Sequence, residues 1–120
     1  MWKIKKTLIE DACMAAQNSL PNEFMCFLGG NKKNQTIIEV IFFPTQTSED
    51  SASVNELNIP FDETIVGSLH SHPFSTARPS QQDKKFFTKY EINLILGYPF
   101  KVENTASYNK KGEKINTELT

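Results

Sequence analysis

The chain has 120 residues, 38% hydrophobic and 22% charged, with 13 Lys+Arg against 14 Asp+Glu for a formal charge of −1. That length supports one hydrophobic core without metal or disulfide staples and is too short for two, so residues 1–120 are expected to form one domain. Near-neutral charge removes the usual electrostatic argument for phosphate binding, and apolar runs such as Val40-Ile41-Phe42-Phe43 fall far short of the roughly 20 residues of a membrane helix; neither nucleic acid nor a membrane is an expected partner.

From Lys3 to Asn18 the residues Ile4, Leu8, Ile9, Ala12, Ala15 and Ala16 recur at steps of three and four, which predicts an amphipathic first helix. The N-terminus carries lysines, but Glu10 and Asp11 interrupt the adjoining stretch and leave no apolar signal segment, so the expected compartment is cytoplasmic. Phe24 to Leu28 is an apolar run closed by Gly29-Gly30 and reads as a strand. Asn31 to Asn34 reads as a hairpin loop, and Thr36 to Phe43 as the returning antiparallel strand. Thr45 to Ser53 is polar and reads as a surface flap, followed by an edge strand from Ala52 to Leu57 and a loop from Asn58 to Glu63. Thr64 to Leu69 is a core strand that leads directly into His70. A Pro- and Ser-containing loop, Pro73 to Pro79, precedes a second helix from Ser80 to Tyr90, whose Phe86, Phe87 and Tyr90 suit one buried face. Ile92 to Leu96 is a further buried strand, and the tail offers two short strands about a turn at Asn109 to Gly112. Cys13 and Cys26 are expected to be reduced, small core residues, since free cysteine is among the most buried residue types.

The two histidines of the chain stand together in His70-Ser71-His72-Pro73. Alternate residues of a strand share a face, so both imidazoles can address one point, as a metal with two nitrogen ligands requires. Asp83, in the first turn of the second helix, could add an oxygen ligand and leave a fourth position for water. Ser80 and Asp83 also form a Ser-x-x-Asp capping signature, which explains both residues without a metal. The two readings are compatible, because a helix N-terminus presents a hydroxyl and backbone donors to negative charge.

His70-Ser71-His72-Pro73, six residues, Ser80, two residues and Asp83 resembles the His-x-His-Pro-x6-Ser-x2-Asp signature of the JAMM (MPN-plus, JAB-type) metalloproteases. Five fixed positions in one register arise by chance on the order of once in 30,000 chains of this length, taking each residue type as about one in twenty. Glu23, Leu28 and Gly30 are in step with that family's Glu-x-x-Gly-x-Leu-x-Gly first-strand pattern, with Cys26 in place of a small residue. The order of elements is also similar to that of the stand-alone prokaryotic, archaeal-like members, over essentially the whole chain.

The resemblance implies an α/β fold of the MPN/JAB, cytidine-deaminase-like type: a mixed, mostly antiparallel sheet flanked by helices. It implies that His70, His72 and Asp83 bind Zn²⁺, that Glu23 is the general base and that Ser80 stabilises the oxyanion. The implied reaction is cleavage of a peptide or isopeptide bond at the C-terminus of ubiquitin, a ubiquitin-like modifier or a sulfur-carrier protein. The Thr45 to Leu57 flap would border an extended substrate tail. The Cys26 thiol, beside the implied zinc, stands as a candidate extra ligand. Two alternatives share the fold: a non-catalytic protein-binding scaffold, whose usual mark is loss of zinc ligands, and a RadC or phage-tail type metal hydrolase with another substrate.

Overall fold

The computed structural model describes residues 1–42, 46–47, 52–53 and 64–120. In chain order the elements are β1 (Trp2–Ile4), α1 (Lys6–Ser19), β2 (Met25–Asn31), β3 (Thr36–Ile41), β4 (Gln46–Thr47), β5 (Ala52–Ser53), β6 (Ile65–His72), α2 (Gln81–Phe87) and β7 (Ile92–Gly97). A 3₁₀ turn (Val102–Asn104), β8 (Thr105–Tyr108), β9 (Lys114–Ile115) and β10 (Thr117–Leu119) complete the chain. Eight strands form one sheet in the order β10-β1-β3-β2-β6-β7-β8-β9, and β4 and β5 pair separately. The sheet is mixed and mostly antiparallel, with β6 parallel to β7 and β1 parallel to both β3 and β10.

The first helix begins later than its spacing predicts, because Trp2 and Ile4 belong to a strand. Both are buried while Lys3 between them is exposed, the alternation of a strand wedged between β10 and β3. Ile4 stands four residues before Leu8, and at that spacing a strand residue mimics a helical one. Gly29-Gly30 does not close β2 as expected; the strand runs through them with a register shift against β3. A Cβ on Gly30 would collide with the Thr36 carbonyl oxygen, so only glycine permits this close approach. β10 and the 3₁₀ turn are additional to the elements read from the sequence. The flap and the edge strand beyond Ser53 fall largely outside the described residues; of that stretch, Gln46–Thr47 and Ala52–Ser53 pair antiparallel.

The sheet separates two environments. On one face α1 buries Ile9, Ala12, Cys13 and Ala16 against Cys26, Leu28, Leu69, Leu94 and Leu96. On the other, Phe87 from α2 packs with Ile95 and Tyr108. Complete burial of a side chain the size of Phe87 or Ile9 contributes roughly 1.5–3 kcal/mol. The α2 face also carries a buried polar link, in which the Ser68 hydroxyl donates to Asn93 Oδ1 at 2.6 Å. Asn93 Nδ2 in turn donates to the Tyr90 carbonyl at 3.2 Å and the Phe87 carbonyl at 3.4 Å. This tie satisfies the polar groups of two residues with no exposed surface and fastens the C-terminal end of α2 to the centre of the sheet. Among the described residues no helix is long and apolar enough to cross a membrane.

Candidate metal centre

β6 ends in His70-Ser71-His72, and strand alternation sends both imidazoles to the α2 face. The antiparallel register with β2 pairs Met25 with His70 and Cys26 with Leu69. Paired residues share a face, so Cys26 joins Leu69 in the α1-side core, away from the histidines. The Cys26 thiol is therefore not a ligand of this site. Its complete enclosure pushes its pKa up to about 12, which disfavours the thiolate a metal would require.

Asp83 reaches the histidines because Ser80 starts α2 beside them. The Asp83 N–H donates to Ser80 Oγ at 3.0 Å and the Ser80 N–H donates to Asp83 Oδ2 at 2.9 Å, a reciprocal cap that locks the carboxylate's rotamer. From that position Asp83 Oδ2 lies 3.0 Å from His72 Nε2, and Oδ1 lies 3.2 Å from His70 Nε2. The two Nε2 atoms are 3.1 Å apart. Among the described residues this trio is the group of His, Cys, Asp and Glu side chains that could hold a metal ion.

The spacing suits a zinc site. Bonds of about 2.0–2.1 Å to tetrahedral Zn²⁺ separate ligand atoms by about 3.3–3.4 Å; the two Nε2 atoms, and each Nε2 with the Asp83 oxygen it meets, stand within a few tenths of an ångström of that, His70 and His72 meeting different oxygens of the carboxylate. Two imidazole nitrogens and a carboxylate oxygen are also a donor set typical of zinc in hydrolases, and the group fits Zn²⁺ on geometry and chemistry alike.

The surroundings fix orientation and charge. His72 Nδ1 lies 2.9 Å from the Thr76 carbonyl oxygen, which can only accept, so Nδ1 carries a proton and Nε2 faces the site, where it can donate to Asp83 when protonated or offer a lone pair to a metal when not. His70 packs against the Phe87 ring, with centroids 6.2 Å apart. Burial opposes charge on Asp83, yet the hydrogen bonds from His70, His72 and the Ser80 N–H outweigh it and hold its carboxyl well below the usual carboxylate range. Burial likewise opposes charge on His72, but Asp83, the Thr76 carbonyl and the more distant charge of Glu23 raise its pKa. Four elements thus build a local field that favours a cation.

Glu23 does not lie within the first strand; it stands two residues before β2, on the segment entering it. Continuing the Met25–His70 register by two residues brings Glu23 opposite His72, and its charge is felt there. Ser80 is exposed at the mouth of the site, and the Phe86, Phe87 and Tyr90 cluster is structural as expected. Two contributors carried no sequence signal. The Thr76 group that orients His72 is a backbone carbonyl, independent of side-chain identity. The buried Tyr108 hydroxyl donates to the Ala77 carbonyl at 2.7 Å and anchors the loop between His72 and Asp83 from a strand 31 residues away.

Residues 5–109 match the family described as prokaryotic homologs of the JAB domain. A relative from Haloferax volcanii, named a probable metalloprotease, is 29% identical over 114 residues, covering 88% of this chain and 71% of its own length. A JAB1/MPN domain protein from Archaeoglobus fulgidus superposes with a TM-score of 0.78 at 30% identity, over 98% of each chain. A solved structure described as JAMM, a metalloprotease-like zinc site in the proteasome and signalosome, gives 0.78 at 29% identity, over 100% of this chain and 98% of that one. A protein from Desulfitobacterium hafniense, at 20% identity and a TM-score of 0.66 over 100% of this chain and 93% of its own, shares the fold.

Proposed function

The chain belongs to the family of prokaryotic homologs of the JAB domain, and on that premise we propose that it is a zinc metallopeptidase whose metal is held by His70, His72 and Asp83. Residues 1–120 act as one catalytic unit in this reading. Its substrate is a peptide or isopeptide bond at the C-terminus of ubiquitin, a ubiquitin-like modifier or a sulfur-carrier protein. The observation that carries the peptidase reading is the His-His-Asp group, with the charge of Glu23 close enough to act on His72.

Bound there, Zn²⁺ supplies a Lewis acid that lowers the pKa of a water toward about 7 and polarises the scissile carbonyl. Glu23 accepts the proton of the attacking water as the new C–O bond forms, and returns it to the leaving amine as the C–N bond breaks. Ser80 Oγ already accepts from the Asp83 N–H, which directs its own proton outward to the oxyanion developing on the carbonyl. The Thr76 carbonyl keeps the His72 tautomer fixed through the cycle.

The test is elemental analysis of the purified chain together with turnover of two probes, a lysine-linked ubiquitin dimer and a small modifier carrying a C-terminal peptide extension. About one zinc per chain and cleavage of a probe are expected. Glu23→Gln should retain the metal while turnover falls by about 10²–10⁴-fold. A zinc-loaded wild-type chain that cleaves neither probe would overturn the substrate assignment, and an active Glu23→Gln variant would remove Glu23 as the base.

A further inference from the structure

The segment that carries Glu23 is tied to the ligand strand in an unusual way. In a regular antiparallel ladder, opposed residues exchange backbone N–H and carbonyl bonds. Phe24 and Ser71 stand opposite one another in the Met25–His70 register, and the Ser71 N–H does donate to the Phe24 carbonyl at 2.8 Å. The return bond is different: the Phe24 N–H donates to Ser71 Oγ, also at 2.8 Å. A side-chain oxygen takes the place of the ladder carbonyl, which explains why β2 begins at Met25 and why Glu23 and Phe24 are set off from β6 while still bound to it.

Alternation gives Ser71 a role distinct from its neighbours. His70 and His72 point to the metal side, so Ser71 between them faces away and is no ligand. It is nevertheless fully buried, and a buried hydroxyl is retained at a cost unless it serves a partner. That partner is the residue next to Glu23. We propose that Ser71 is the positioning residue of this site: its hydroxyl sets the offset of the Glu23 segment from β6, and so fixes the gap between the Glu23 carboxylate and the His70–His72 pair in which water and the scissile bond must fit. One tripeptide thereby controls both the ligands and the distance to the base. The proposal deepens the peptidase reading and rests on it.

The test compares Ser71→Ala and Ser71→Thr in the full chain, each loaded with zinc, using the two probes above and amide exchange of Phe24 by NMR. Ser71→Ala leaves the Phe24 N–H without its acceptor, so its exchange should accelerate by about tenfold or more. The kcat should fall by about tenfold to a hundredfold with KM within about twofold, because the displaced group acts on chemistry rather than on binding. Metal content and the Co²⁺ absorption spectrum should be unchanged, and Ser71→Thr should restore both protection and kcat. Unchanged Phe24 exchange or unchanged kcat in Ser71→Ala would overturn the proposal. Loss of metal in that variant would overturn it too, since Ser71 would then serve the ligand strand and not the base. A zinc-loaded wild-type chain that cleaves neither probe would instead overturn the substrate assignment, and Phe24 exchange alone would then decide whether Ser71 holds the Glu23 segment.

Discussion

The two faces of the sheet are built from the same strands and do opposite work. Along β6, Leu69 turns to the α1 side and packs into an apolar core cluster, while His70, one residue on, turns to the α2 side and meets a carboxylate. Across the register, Cys26 accompanies Leu69 and Met25 accompanies His70. The α1 face gains its free energy from area removed from water and tolerates no charge. The α2 face accepts ionisable groups because each is matched: Asp83 by two imidazoles and the Ser80 N–H, and His72 by the Thr76 carbonyl. The period of two in a strand lets stability and chemistry occupy adjacent residues without sharing an environment.

This division is broken most directly by one substitution on each face. Asp83→Ala removes the proposed anionic ligand and is expected to abolish stoichiometric zinc binding while circular dichroism shows the fold retained. Ile9→Ala, on the other side, should lower unfolding free energy by about 2–5 kcal/mol through transfer and cavity terms, with zinc affinity in the folded protein unchanged. Isothermal titration and urea unfolding on both variants measure the cross-effects. A large loss of zinc affinity in Ile9→Ala would show that the two faces are mechanically coupled.

A smaller effect sharpens the same contrast through pH, measured on zinc-free protein. Asp83 is depressed in the folded chain, so its contribution is complete above its unfolded pKa of about 3.9 and is lost as pH falls below that value. His72 is raised, so its contribution is complete below about 6.5 and is lost as pH rises through its folded pKa. Together they predict greatest stabilisation from this cluster between about pH 4 and 6.5, and Asp83→Asn should flatten the urea midpoint across that window. An unchanged profile in the variant would mean that the pairing adds nothing to folding. Zinc affinity should move the other way, falling with pH as protons compete for the imidazoles.

The sequence makes the α2 face legible because its chemistry is local. His70 and His72 are separated by one residue on a strand, Ser80 and Asp83 by a helical turn, and each spacing has a geometric meaning before any fold is known. The long strands and both helices are legible for the same reason. The features that escape are non-local or belong to the backbone. β1 has three residues whose Ile4 falls into step with the helix after it, and its strand identity depends on β10 at the far end of the chain. Tyr108 reads as a strand aromatic, and only the fold brings its hydroxyl to Ala77. Glu23 is recognisable as a residue in register with a motif, but its position on an offset segment depends on the Phe24–Ser71 bond, 47 residues apart in sequence.

Cys26 is where sequence distance and the two-face division disagree most clearly, and the smallest predicted effect decides between them. It lies three residues from Glu23, and proximity in sequence makes its thiol a candidate zinc ligand. Strand alternation and the register with Leu69 place it instead in the α1-side core, 1% exposed. A ligand thiolate would make zinc affinity fall sharply in Cys26→Ser and would give the Co²⁺-loaded wild type an intense sulfur-to-metal charge-transfer band that the variant lacks. A core thiol predicts neither. Zinc affinity and the Co²⁺ spectrum should be the same in both proteins, and the cost should appear only in folding, about 1–3 kcal/mol for a hydroxyl enclosed without a partner. A change in the metal spectrum on substituting Cys26 would mean that the sheet does not keep its two faces apart.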